Sequence, residues 1–288
     1  MSSLRFEAPT LLDYFGSLVA DDQQFSLLEA AIAVGQDDEP TLDVQSVLAQ
    51  IDQLAATLKR RLAADAGAMH RLRSLNHYFF QELGFAGNVN DYYDARNSLL
   101  QHVIATRRGI PITLALLLVE IAQQIGLEAR PVAFPGHFLV KLSMPQGEVV
   151  IDPFTGRSLS REDLDERLAP YRLRQGLVGD FEVPLGLFLQ AATERDVLAR
   201  LLRNLKEIHR TAEDWRRLLA VQHRLVLLLP QAWDERRDRG LIWAELGAQH
   251  AAAADLEVYL QQQPEAADAR AIRQRLNELR QTGSSRLH

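Results

Sequence analysis

The order of apolar and polar positions divides the chain into a helical first part, a short strand-rich middle and a helical last part. Asp13 to Val19 and Gln24 to Val34 are short amphipathic stretches, ended by Gly35 and the acidic turn from Asp37 to Pro40. After Thr41, the residues Leu42, Val44, Val47, Leu48, Ile51, Leu54, Leu58 and Leu62 recur at threes and fours, which predicts about six helical turns. Gly67 interrupts this run. Met69, Leu72, Leu75, Tyr78, Phe79 and Leu83 then predict a further helix that stops at Gly84. Tyr78, Phe79, Phe80 and Phe85 read most simply as core aromatics, and 88–94 reads as a loop carrying Tyr92 and Tyr93.

The stretch from Asn97 to Gly126 is the centre of the pattern. It begins polar, turns at Arg107-Arg108-Gly109 and enters a run that is apolar on nearly every side. Pro111 suits a first helical position, because the N–H it lacks has no partner there and its φ is already helical. Gly126 suits the stop. A helix apolar all round belongs inside a domain, and at about 15 residues it is too short to cross a bilayer. The preceding residues are expected to wrap it.

Beyond Gly126 the period shortens. Ala129 to Phe134 and His137 to Leu142 read as strands joined by Pro135-Gly136, and Glu148 to Asp152 returns as a third after a turn at 143–147. A hairpin symmetric about Met144 and Pro145 sets Lys141 opposite Glu148, Leu139 opposite Val150 and His137 opposite Asp152. The last pair then has β-carbons about 5 Å apart on one face, and Phe138, Val140, Val149 and Ile151 take the other, toward the central helix. Residues 152–156 leave the sheet as a turn, and a helix follows from Arg161 to about Leu168. From Arg195 to about Arg280 the chain is helical again. Pro230 and Pro264 each end an apolar helix and stand about 34 residues apart, the period of tetratricopeptide repeats. Gly240, Trp243, Gly247, Ala252 and Leu256 occupy the small and large positions of such a repeat. Lys206 and His209 stand in an earlier, weaker copy, and 267–281 would cap the array. The expected organisation is a domain over 1–175, a linker over 176–192 and helical repeats over 193–288. The class is α+β, with a helical shell and a small antiparallel sheet around the 111–125 helix.

Composition narrows the function classes. An apolar fraction of 47% and a charged fraction of 24% are those of a globular protein with a sizeable core. A net charge of −6 gives no reason to expect nucleic acid as a partner. No stretch looks like a membrane span or a signal peptide, so the expected location is the cytoplasm. The chain has no cysteine, which excludes disulfides, thiolate metal sites and every cysteine nucleophile. No Walker loop or dinucleotide fingerprint appears, and no cofactor is expected. His70 and His77 lie on one helix face without a carboxylate at metal-site spacing, so no metal is expected either. Trp215, Trp233 and Trp243 fit packing between repeat helices. The basic run from Arg200 to Arg224 reads as a solvated helix face.

His137 and Asp152 are the sharpest chemical signal. A carboxylate beside an imidazole fixes its tautomer and raises its basicity, the orienting half of a nucleophilic triad; the same pair is also a plain structural hydrogen bond at a sheet end. Thr113, on the first turn of the central helix, is either a hydroxyl within reach of such a base or a capping group. It shares a polar stripe with Glu120 and Gln124. Ser98 is a further hydroxyl, although Asn97-Ser98 also reads as a helix cap. Arg107 and Arg108 either present guanidinium groups to a carboxylate ligand or complement the end of the preceding helix.

Asn90 to Ser98, Arg107 to Leu114, Gly126-Leu127, Phe134 to Leu139 and Ile151 to Phe154 together resemble the transglutaminase-like domain of the bacterial SirB-one type, a papain-like core followed by tetratricopeptide repeats. The resemblance implies that a cysteine would open the central helix, with a histidine and an aspartate on the strands behind it. His137 and Asp152 match by position. Pro111 stands where the thiol would be, so ordinary transglutaminase or thiol-protease chemistry is excluded. Two functions remain: a non-catalytic interaction or regulatory module that binds a protein or peptide through its repeats, with Asn97, Arg107 and Arg108 lining a degenerate cleft, or a hydrolase or acyl-transfer enzyme in which His137 and Asp152 activate Thr113 or water.

Overall fold

The computed structural model describes residues 9–177, 179 and 183–285, with backbone alone for 282–285. In chain order the helices are α1 (Leu11–Leu18), α2 (Leu27–Ala33), α3 (Val44–Arg61), α4 (Ala68–Asn76), α5 (Leu100–Thr106), α6 (Pro111–Gln124), α7 (Arg161–Gln175), α8 (Leu185–Phe188), α9 (Glu194–Thr211), α10 (Trp215–Leu228), α11 (Trp233–Glu245), α12 (Gln249–Gln262) and α13 (Ala269–Ser285). The strands are β1 (Ala86–Gly87), β2 (Arg108–Gly109), β3 (Glu128–Val132), β4 (Leu139–Met144), β5 (Gly147–Asp152) and β6 (Arg157–Leu159). Contacts group the chain into two compact units. Of the described residues, one holds those within 27–35 and 41–201; the other holds those within 9–26, 36–40 and 202–285. The boundary falls inside α9. Part of the linker expected over 176–192 lies outside the described residues.

The first unit is built on α6, which packs against α3, β3 and β4. All its residues from Pro111 to Val119 are buried, as are Ile121 and Ala122, in keeping with its apolar circumference. The polar stripe turns toward α3, where the Gln124 side-chain amide donates to Glu120 at 2.8 Å and to Asp52 at 2.7 Å. α4 runs on into a wider π-type turn over His77–Glu82, which buries Tyr78 and Phe79. Phe85 is also buried, but Phe80 is only half so. Its ring lies 3.0 Å from where a β-carbon on Gly156 would be, and Gly156 already has φ +74°.

The sheet has the order β3-β4-β5-β6, all antiparallel. Its hairpin corrects the expected register. Pairing runs Val140 to Ile151, Lys141 to Val150, Ser143 to Glu148 and Met144 to Gly147. The turn axis sits between Pro145 and Gln146, one position later than the symmetric guess, which displaces every pair by two residues. Because side chains alternate with period two, a two-residue shift keeps every side chain on its face. Lys141 and Glu148 still meet, at 2.9 Å, as diagonal neighbours. β6 and the short parallel pair β1–β2 were not legible in the pattern, being too short to show alternation. On one face Val132, Leu139, Val150, Leu159, Leu164 and Leu168 form a core with the helix after β6. Val140, Leu142 and Ile151 are buried on the other, the side from which β3 and β4 meet α6.

The second unit stacks α10 on α11, α11 on α12 and α12 on α13. Gly240 lets α11 and α12 approach closely: a β-carbon there would lie 2.9 Å from Leu256 and 3.2 Å from the Ala252 carbonyl. α1 belongs to this unit, packed on α10, and not to the shell around α6. The basic run is a solvated face only in part: Arg203, Arg210, Arg216 and Arg217 are exposed, whereas Lys206 and Arg224 are buried. Arg224 is buried, pairs bidentately with Asp37 at 2.7 Å on both nitrogens, and lies over the Phe15 ring. Lys206 and Arg203 hold the buried carboxylate of Glu235. Its burial would raise its proton affinity, but these cations and Gln222 outweigh that and lower it.

Candidate functional site

The first turn of α6 is closed by its own side chains. Pro111 takes the first helical position behind Ile110. The Thr113 hydroxyl accepts the Ile110 N–H at 3.2 Å and lies 2.8 Å from the Asn97 carbonyl and 3.1 Å from that of Ile110. A side chain at the third helical position that reaches back to the cap is half of a capping box. Thr113 is fully buried and these backbone groups saturate its oxygen. Gly109 makes the room, since a β-carbon there would be 2.8 Å from that oxygen. Asn97 ties the 88–94 loop to the same turn: its amide donates to the Asp91 carbonyl at 2.6 Å and accepts from Asn88 at 2.9 Å. Ser98 is buried with no hydrogen-bond partner for its hydroxyl among the described residues, and the cap of α5 is Leu99.

His137 and Asp152 come together as expected, by a different route. Asp152 ends β5, while His137 precedes β4 in a turn whose sequence dictates its shape. Pro135 presets the second position, Gly136 supplies φ +71° at the third, and the His137 N–H closes on the Phe134 carbonyl at 3.0 Å. His137 is thus a diagonal neighbour of Asp152 on one face, and its Nε2 reaches Oδ1 at 2.8 Å. The carboxylate also accepts the Phe154 N–H at 3.0 Å, an Asx turn, and Arg167 of α7 at 3.0 Å. Burial alone would raise the Asp152 carboxyl. The His137 bond, its charge, the Phe154 amide and Arg167 together lower it to about 2. An ionised carboxylate cannot donate, so Nε2 carries the proton. Nδ1 is left as the imidazole's acceptor, with no hydrogen bond among the described residues. Arg167 lies in a predicted helix, but nothing in its spacing pointed to Asp152.

Aromatic rings border the pair. Phe154 lies edge-on to His137, with centroids 6.5 Å apart, and to Tyr92 at 6.0 Å. It occupies the space that a β-carbon on Gly87 would need, 2.3 Å away. Arg107 and Arg108 turn away from the pair toward the β1–β2 strands, with Arg107 Nη1 buried and without a hydrogen-bond partner among the described residues. Arg107 is left-handed at φ 61° and lays its guanidinium over Phe85 at 4.7 Å, and Arg108 donates to the Gly84 carbonyl at 2.6 Å. Both brace the β1–β2 crossing. Among the described residues no group of three histidine, aspartate or glutamate side chains is placed to hold a metal, and no helix is long and apolar enough to cross a membrane. Chemically the pair offers an imidazole oriented by a buried carboxylate, and the first turn of α6 offers no thiol.

Comparison with known proteins agrees with this architecture. A model of the transglutaminase-like superfamily matches residues 45–203, and one of the tetratricopeptide repeat matches 205–277. A UPF0162 protein of Xylella fastidiosa (strain 9a5c) is 35% identical over 271 residues, covering 93% of this chain and 95% of the relative. Protein SirB1 of Salmonella typhimurium is 29% identical, covering 83% and 86%. UPF0162 protein YchA of Escherichia coli (strain K12) is 28% identical, covering 82% and 86%.

Proposed function

The chain belongs to the transglutaminase-like superfamily, with a tetratricopeptide repeat region behind the core; from that premise we propose that it is a non-catalytic member acting as a protein-interaction or regulatory module in the cytoplasm. The observation that carries this reading is the start of α6. Pro111 holds the first helical position, where the family resemblance implies the thiol would stand, and the Thr113 hydroxyl on the same turn is engaged in capping it. The helix dipole and polarised imidazole of a thiol enzyme are retained without a nucleophile for them to activate. The repeats supply the binding surface, since stacked helical pairs form extended faces suited to a partner peptide. His137 keeps 23% of its side chain exposed, so an extended backbone can reach it.

The free Nδ1 favours one second reading, in which His137 draws a proton from water and the protein hydrolyses an amide. One experiment separates the two. Purified protein is incubated with a glutamine-rich peptide library and an amine donor, and the products are weighed by mass spectrometry. The expected result is no hydrolysis, deamidation or amine incorporation above the rate with buffer. Turnover that disappears in His137→Ala would establish the enzyme and overturn the proposal.

A further inference from the structure

One cation beside the pair has no counter-charge. Arg200, on the part of α9 that belongs to the first unit, is half-buried and donates from Nη1 to the Phe134 carbonyl at 3.3 Å. That same carbonyl accepts the His137 backbone N–H and closes its turn, so the guanidinium is anchored to the turn that carries the imidazole. Its plane lies over the Phe138 ring at 5.8 Å. Among the described residues no carboxylate pairs with it. Its electrostatic neighbour is Tyr92, whose phenol is pushed up by burial while Arg200 works the other way. Among the other buried or half-buried cations, Arg224, Lys206, Arg172 and Arg237 each have a carboxylate at 2.6 to 3.1 Å, whereas Arg107 also lacks one and lies over Phe85. A guanidinium desolvated against one neutral oxygen costs free energy that an incoming anion would return.

The neighbours define which anion. His137 Nδ1 accepts rather than donates when Nε2 serves Asp152, so it suits a backbone N–H. Tyr92 and Tyr93 are exposed and lie ring to ring at 5.3 Å, with Phe154 on the other side of Tyr92, an aromatic shelf for an apolar side chain. We infer that the mouth of the cleft binds the C-terminal carboxylate of an extended peptide, with Arg200 and the Tyr92 hydroxyl on the carboxylate, His137 Nδ1 on the last peptide N–H, and Tyr92, Tyr93 and Phe154 against an apolar terminal side chain. This deepens the reading of the cleft as a binding surface and rests on it. The two fail separately, because turnover is read from product mass and this site from affinity alone.

The test uses the full chain and three acetylated tetrapeptides, by calorimetry or competition. The first, AALF, has a free carboxylate; the second is the same peptide amidated; the third, amidated AELF, carries its carboxylate on a side chain. The free acid is expected to bind about tenfold or more tighter than its amide, as a charge-assisted pair to a half-buried guanidinium implies. Arg200→Gln should remove that preference, and Tyr92→Phe should reduce it severalfold, with the melting temperature of each variant confirming that it is folded. Equal binding of acid and amide, or a preference that survives in folded Arg200→Gln, overturns the proposal. A preference for the glutamate peptide over the free acid also overturns the terminal assignment, assigning the site to acidic side chains. If Arg200→Gln does not fold, the acid–amide comparison on the wild type and Tyr92→Phe still decides.

Discussion

Replacing Asp152 by asparagine tests whether the carboxylate is a structural anchor. The side chain is almost fully buried and accepts three hydrogen bonds, from His137, the Phe154 amide and Arg167. Its carboxyl is held at about 2 against an ordinary 3.8, which corresponds to about 2 kcal/mol of stability at neutral pH. The folded-state value is the depressed one. The contribution is therefore complete above the unfolded value and is lost as pH falls through 3.8 toward 2, with about half remaining at pH 3. The amide of Asp152→Asn keeps an oxygen for Phe154 and His137 but turns its N–H₂ toward the Arg167 guanidinium. The expected gap between wild type and variant is about 2 kcal/mol at pH 6, narrowing to about 1 kcal/mol at pH 3. Trp215, Trp233 and Trp243 all belong to the repeat unit, so tryptophan fluorescence reports the wrong body. The readout must be pulse hydrogen exchange in a urea series on peptides covering β4 and β5. A gap that stays the same at both pH values would show that these contacts do not stabilise the ionised carboxylate, and the His137–Asp152 pair would lose its electrostatic basis.

Four further outcomes follow from the same contacts. Thr113→Val removes the hydroxyl that closes the start of α6 and should destabilise the first unit by about 1–2 kcal/mol, with Thr113→Ser close to wild type in the same exchange assay. Gly87→Ala forces a β-carbon to within 2.3 Å of the Phe154 ring and should cost about 1–3 kcal/mol; adding Phe154→Leu should recover part of it, and strict additivity would rule out the clash. In the second unit, Asp37→Ala leaves the buried Arg224 guanidinium unpaired and should cost about 3 kcal/mol, read by tryptophan fluorescence in urea. Glu235→Ala should cost about 2–3 kcal/mol by that readout, moderated because Lys206 keeps Asp238 at 2.6 Å.

What the residues disclosed, and what they withheld, follows from range. The α6 start, the Pro135-Gly136 turn and the Asp152 turn are local devices, in which a proline or glycine sets a dihedral and a side chain satisfies a backbone group two or three positions away. These were legible. The His137–Asp152 pair was also legible, for a reason that survived a wrong register: an error of two residues preserves the face. Arg167, Arg200 and the docking of Asp37 on Arg224 were not. Each joins elements far apart in the chain, and a lone arginine on an amphipathic helix looks the same whether it meets solvent or a carboxylate. α1 was misplaced for the same cause, since an apolar face says that a helix packs without saying on what.

The site then separates into parts with different reasons to exist. Asp152 needs no chemistry to explain it: it caps the turn at Phe154 and binds α7 to the sheet through Arg167. Thr113 and Pro111 are explained by the start of α6, and Arg107 and Arg108 by the β1–β2 crossing. Two side chains lack such an account. His137 gives the fold one bond, to an anion already satisfied twice over, and keeps its second nitrogen turned outward. Arg200 holds a charge in a half-buried place for one carbonyl that already has a partner. Side chains that contribute little to the fold and carry unmet polar capacity are the ones an external ligand completes, and the Phe134 carbonyl that holds Arg200 also closes the turn that carries His137. The proposed binding role therefore rests on His137 and Arg200, the two side chains that the fold uses least.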